Sequence, residues 1–245
     1  MKIGIIGYGR FGSLLEKIFF EHIEGVEILI YDINSKPNSK KFFSFNETVK
    51  SDLVIPAVPI GALESVIKKI SPVLPENSTV MDVSSVKVKP VEWMKKHLKA
   101  GTKIIASHPV FGPDSTNNGE EFEGLNMMLS NISADRKIYD FVKDFWTKLG
   151  VNVLEITPEE HDRYSAYTIN YNHLIGRVGQ IAGIKPTPID TKGFKIIYEA
   201  MNYVTHDSWE LFRDMQLYNP YSKEMREKVR GALGEIESRL IDNQR

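Results

Sequence analysis

The residues able to do chemistry stand at the ends of short apolar runs. Gly7-Tyr8-Gly9-Arg10-Phe11-Gly12 follows the run KIGIIG and opens an amphipathic segment. In that position the first glycine permits a tight turn, the second admits a pyrophosphate, and the third lets helix and strand pack closely. The helix start then faces the phosphates with its unpaired N–H groups. Gly7, Gly9, Arg10, Phe11 and Gly12 are accordingly predicted to bind a dinucleotide. Asp32 ends the next apolar run, twenty residues after Gly12. A carboxylate there accepts hydrogen bonds from a ribose with free hydroxyls and repels a 2′-phosphate, which favours NAD. Asn34, Ser35 and Lys36 follow closely and could host a phosphate, so NADP stays open.

Two further strand ends carry polar groups. Asp82-Val-Ser-Ser-Val-Lys87 closes a fourth run, and Ser107-His108-Pro-Val-Phe-Gly-Pro-Asp114-Ser115 closes a fifth. A neutral imidazole, with an ordinary pKa of about 6.5, suits proton abstraction from a hydroxyl near neutral pH. By its position at a strand end His108 is the candidate base, and Ser85 stands at the end of the neighbouring strand. His161 lies in the first turn of a helix, where a structural contact and a site role are both open. His161 and His173 are twelve apart and no HExxH occurs, so no metal site is expected.

The elements that must hold these groups follow from hydrophobic periodicity. Phe11, Leu14, Leu15, Ile18, Phe19 and Ile23 repeat at helical spacing after the glycine turn. VEILIYD, DLVIPAV, STVMDVSS, TKIIASHP, LNMMLS and VNVLEI are short, strand-like runs. Strand and helix alternate, which predicts an α/β fold with a doubly wound, Rossmann-like, mostly parallel sheet. In such sheets ligands gather beyond the carboxyl ends of the strands, where Gly7, Asp32, Ser85 and His108 fall. At Thr157-Pro-Glu-Glu160 the pattern changes to a capping box with proline at the first helical position. The expected division is therefore 1–156, dinucleotide-binding, and 157–245, helical, with breaks at Lys185-Pro-Thr-Pro and Asn219-Pro.

Composition narrows the classes. The net charge is −1 and no block of like charge occurs, which argues against nucleic-acid or membrane partners. Without cysteine there is no disulfide, thiolate metal site or thiol nucleophile. The first residues run directly into a strand with no signal peptide, so a cytoplasmic location is expected.

The segments DVSSVK, SHPVFGPDS, Glu160-His161-Asp162-Arg163, Asn172-His173-Leu-Ile-Gly-Arg177, Thr187-Pro-Ile-Asp-Thr-Lys-Gly-Phe194, Asp207-Ser-Trp-Glu-Leu-Phe212 and Tyr218-Asn-Pro-Tyr221 together resemble the prephenate and arogenate dehydrogenases of tyrosine biosynthesis. That resemblance covers essentially the whole chain. It implies NAD(P)-dependent oxidative decarboxylation of a cyclohexadienol, with His108 taking the proton of the ring hydroxyl and Ser85 bonding the same hydroxyl or orienting the imidazole. It also implies His173, Arg177, Lys192, Asp207 and His161 as substrate-binding candidates. Bacterial relatives carry an arginine near Phe194-Lys195, where this chain has lysine. Asp207 lies in a segment like that of plant-type arogenate enzymes and would pair with an ammonium; helix capping is its bland alternative. The resemblance further suggests a homodimer formed through the C-terminal helices, and no regulatory domain is expected after Arg245. Two rival readings remain at this level: a related two-domain β-hydroxyacid or imine dehydrogenase, and a nucleotide-binding protein that has lost catalysis.

Overall fold

The computed structural model describes residues 1–35 and 41–242; Lys36, one of the possible phosphate hosts, lies outside the described residues. The chain divides into two compact units, Met1–His161 and Asp162–Arg245.

In the first unit the elements run β1 (Lys2–Ile6), α1 (Arg10–His22), β2 (Glu27–Tyr31), α2 (Phe45–Val49), β3 (Leu53–Pro56), α3 (Ile60–Ile70), β4 (Thr79–Asp82), α4 (Val88–His97), β5 (Lys103–Pro109), β6 (Asn126–Asn131), α5 (Arg136–Lys148) and β7 (Asn152–Glu155). The strands form one sheet in the order β2-β1-β3-β4-β5-β6-β7. Every pairing is parallel except β5 with β6, which is antiparallel. The chain winds one way from β1 to β2 and the other way from β3 onward. The carboxyl end of β1 is therefore a switch point, where the splayed connections leave a crevice.

Successive residues of the central strands feed opposite cores, as a doubly covered sheet requires. Ile3, Ile5, Leu53, Ile55, Met81 and Ile105 join Leu15 and Ile18 of α1 and Trp146 of α5 on one face. Ile6, Val54, Val80 and Ile104 join Leu63 and Ile67 of α3 and Met94 of α4 on the other. Helices α2 and α4 were not legible from periodicity. The first has only five residues, begun by a capping box in which Ser44 and Glu47 satisfy each other's backbone N–H. The second carries Pro90 near its start, where a missing N–H costs nothing.

The second unit is helical. The boundary falls within α6 (Pro158–Tyr167), and α7 (Ile169–Ile181), α8 (Lys192–Thr205), α9 (Trp209–Tyr218) and α10 (Ser222–Asp242) follow. The α6 start is the predicted box: Glu160 N–H reaches Thr157 Oγ1 at 3.2 Å, and Glu160 Oε2 accepts from Thr157 N–H at 2.9 Å. Both predicted breaks occur, between α7 and α8 and between α9 and α10. A buried polar network ties the helices together. Asn170 donates to Met215 O and Ser222 Oγ, Gln216 donates to Asn170 O, and Asn219 donates to Asp162 O.

Candidate active site

At the end of β1 the backbone of Gly7 has φ of +100°, a conformation that side chains disfavour. Its N–H donates to Tyr31 O at 2.8 Å, and a Cβ there would lie 2.4 Å from Ala57 O. A Cβ on Gly12 would lie 2.1 Å from Gly7 O, so α1 can start directly over the turn only without one. Gly9 differs: nothing lies within 4 Å of the place its Cβ would take. The start of α1 has no side-chain cap and no acidic residue in its first turn. That is the arrangement an anion needs at a helix N-terminus. Phe11 packs partly into the core, and Arg10 is bridged to Asp114 at 2.6 Å, so neither extends freely toward a phosphate.

Asp32 sits immediately after β2. Its Oδ2 accepts from Tyr8 N–H and its Oδ1 from Asn34 N–H, each at 2.8 Å. A carboxylate has about four lone-pair sites, so capacity remains for ribose hydroxyls. The open second glycine, the uncapped helix and this acid fit the adenosine diphosphate half of a nicotinamide dinucleotide. Beside them, Tyr8 hydroxyl donates to Glu16, and Lys41 Nζ lies 2.7 Å from Glu16 Oε2 and 4.6 Å from the centre of the Tyr8 ring.

His108 is buried near the end of β5, and its Nδ1 lies 2.8 Å from His161 Nε2 with the rings nearly perpendicular. Burial first, then the proximity of His161 and Lys87, pushes the His108 pKa well below 6.5. The ring is neutral at pH 7, and Nε2 is the nitrogen left for another partner. Ser85 is half-buried in the loop after β4 and makes no hydrogen bond to His108; the partner of that ring is His161.

Beneath both lies a knot that the sequence reading did not single out. Lys87, fully buried, donates to Asp82 Oδ2 and to Ser107 O. Asp82 Oδ1 accepts from Ser84 N–H at 2.9 Å, and Ser107 hydroxyl donates to Asp82 O at 2.6 Å. These bonds stitch the end of β4 to β5, fixing the backbone that carries Ser85 and His108. The available signal was a lysine and an aspartate embedded in apolar runs, where an unpaired charge would be prohibitively costly.

The second unit holds its own cluster. His173 and Arg177 are buried on α7, one helical turn apart. Arg177 donates to Gln180 Oε1 at 3.0 Å and to Asp207 O, and its guanidinium lies 5.6 Å from the Trp209 ring centre. His173 Nε2 is 3.7 Å from Asp207 Oδ2. Burial lowers the His173 pKa, opposed by Asp207 and aided by Arg177. His173 Nδ1 and Arg177 Nε are buried without a protein partner. Asp207 is not a cap, since Ser208 takes that place by accepting from Leu211 N–H at 3.1 Å. Lys192 is exposed at the first position of α8, with no partner in this cluster.

At the level of class, a doubly wound sheet with this cradle at its switch point is that of a dinucleotide-dependent dehydrogenase. The family model described as prephenate dehydrogenase, nucleotide-binding domain, matches residues 21–155, and the chain belongs to that family. The match begins beyond the glycine turn, so the assignment of the turn rests on its own geometry. A second model, TYRAAT1-like, C-terminal domain, matches residues 178–245. The chain is 28% identical to arogenate dehydrogenase 2, chloroplastic, of Arabidopsis thaliana, over 98% of this chain and 70% of that protein. It is 31% identical to the "Probable arogenate/prephenate dehydrogenase" of Methanocaldococcus jannaschii, over 79% of this chain but only 44% of that protein. Among solved structures, the prephenate dehydrogenase from A. aeolicus in complex with hydroxyphenyl propionate and NAD+ aligns with a TM-score of 0.76. That alignment has 21% identity, covers 99% of this chain and 91% of that one, and shows a shared fold.

Proposed function

We propose that this protein oxidises and decarboxylates a cyclohexadienol in tyrosine biosynthesis, converting prephenate to 4-hydroxyphenylpyruvate or arogenate to tyrosine. The observation that carries the reading is the buried, neutral His108 with Nδ1 engaged by His161. The dinucleotide, held by Gly7, Gly9, Gly12 and Asp32, supplies a hydride acceptor when bound. His108 takes the proton of the ring hydroxyl at Nε2 as carbonyl character develops at that carbon. That role requires the tautomer in which Nδ1–H donates to His161 Nε2. The carbon–carboxylate bond then breaks, CO2 leaves, and the electron pair aromatises the ring. His108 returns the proton to the same oxygen and ends neutral, so no net proton is consumed. Ser85, from the neighbouring strand end, hydrogen-bonds the hydroxyl.

The cluster on the second unit supplies the substrate's charged ends with partners in this reading. Arg177 and Lys192 serve carboxylates, and His173 presents a neutral imidazole. Asp207, relieved of capping, favours the ammonium of arogenate over the ketone of prephenate. NAD is the preferred cofactor and NADP the alternative, on the strength of Asp32. The functional division is a nucleotide-binding N-terminal part and a C-terminal helical part for substrate and dimerisation. A homodimer is supported by apolar residues exposed on α7, α8 and α10, among them Ile181, Ile196, Leu233 and Leu240. No helix among the described residues is long and apolar enough to cross a membrane. The near-zero net charge supports the reading that neither nucleic acid nor a charged membrane surface is a partner, and a cytoplasmic location belongs to the same proposal.

The test is formation of reduced nicotinamide with prephenate and with arogenate. His108→Asn should lower kcat by about 10²–10⁴ while leaving ADP-ribose binding intact. Unchanged turnover would remove His108 from the chemistry.

A further inference from the structure

Asp32 is one source of discrimination against a 2′-phosphate, but the structure places a second device next to it. Among the described residues, Lys41 is a cation placed to attract such a phosphate. It is held between Glu16 Oε2, at 2.7 Å, and the face of the Tyr8 ring, at 4.6 Å. Tyr8 also offers its backbone N–H to Asp32 Oδ2 and its hydroxyl to Glu16. The position of Lys41 is set by its neighbours. Phe42 bridges in parallel to Ile30 of β2, and its ring meets the Tyr8 ring edge-on at 5.3 Å. Residue 41 is thereby pinned beside the turn and the end of β2, where an adenosine ribose held by Asp32 would present its 2′ position.

Charge bookkeeping follows from that geometry. A nucleotide ending in a free 2′-hydroxyl meets Asp32 as an acceptor and leaves the Glu16–Lys41 pair undisturbed. A 2′-phosphate would bring about two negative charges against Asp32 and Glu16. Among the described residues, Lys41 is already paired with Glu16 and Arg10 with Asp114. We propose that Glu16 is a specificity-determining residue for the cofactor: it holds Lys41 on the Tyr8 ring and so withholds that cation from 2′-phosphorylated nucleotides. The proposal rests on the reading of Gly7–Gly12 and Asp32 as the nucleotide site.

The experiment measures binding of ADP-ribose and of 2′-phospho-ADP-ribose by calorimetry to the full chain, which needs no turnover. Wild type should prefer ADP-ribose. Glu16→Gln should tighten 2′-phospho-ADP-ribose by about five- to tenfold, with ADP-ribose changed by less than about twofold. Glu16→Gln combined with Lys41→Met should lose that gain, because the freed cation is gone. Equal changes for both ligands in Glu16→Gln, no change for either, or a gain that survives Lys41→Met would overturn the proposal. A wild-type chain that binds neither ligand would instead overturn the nucleotide site itself, and this inference with it.

Discussion

Replacing His161 tests how the proposed base, His108, is prepared. Its Nε2 lies 2.8 Å from His108 Nδ1, and both side chains are buried, at 4% and 6% exposure. In the tautomer with an Nδ1 proton on His108, His161 is the acceptor that holds the ring in plane and stabilises the imidazolium that forms on proton transfer. His161→Phe keeps an aromatic ring but removes the acceptor, leaving a buried N–H unpaired. Such a loss costs about 1–3 kcal/mol, and since about 1.4 kcal/mol is tenfold, kcat should fall roughly 5- to 150-fold. Affinity for ADP-ribose, whose proposed site at Asp32 lies across the switch point from His108, should stay within about twofold. His161→Gln presents an amide oxygen of comparable reach and should recover most of the loss. The assay is steady-state formation of reduced nicotinamide, with kcat and KM separated. If Phe leaves kcat unaltered, or if Gln and Phe fail equally, the positioning role is wrong and His161 is a packing residue only.

Three other outcomes follow from the same geometry. Lys87→Met removes one partner of a fully buried ion pair and should cost about 3–5 kcal/mol of stability in denaturant unfolding, because Asp82 is left charged and unpaired; a loss under 1 kcal/mol would contradict the knot. The pKa values of His108 and His173 are depressed in the folded state, so the unfolded chain binds more protons below pH 6.5. Stability is then complete above about pH 6.5 and is lost as pH falls from there toward the folded values. The melting temperature should decline over that window, and less steeply in His173→Asn. Asp207→Asn should lower kcat/KM for arogenate about tenfold or more relative to prephenate; an unchanged ratio retires Asp207 from substrate choice.

Local rules were enough for much of this protein. The glycine turn declared itself because only residues without a Cβ fit between β1, α1 and Ala57, and that constraint is written in residue type. The capping box at Thr157 and the breaks at the two proline segments were legible for the same reason, since caps and proline act within one turn of chain. Placing Gly7, Asp32, Ser85 and His108 at strand ends needed only hydrophobic periodicity.

Contacts between distant segments could not be read that way. The meeting of His108 with His161 joins residues 53 apart, and the Lys87 bond to Ser107 O joins residues 20 apart. Neither has a spacing signature, because the register of β4 against β5 and the entry of α6 bring them together. The antiparallel β6 is a choice of sheet topology that an apolar run of six residues leaves open. Likewise, only folding decided that Ser208 and not Asp207 caps α9, and that Lys41 spends its charge on Glu16. Sequence determines which groups a chain carries and the local turns that expose them; packing determines which groups lose water together, and burial is what pushes the His108 and His173 pKa values below the ordinary one.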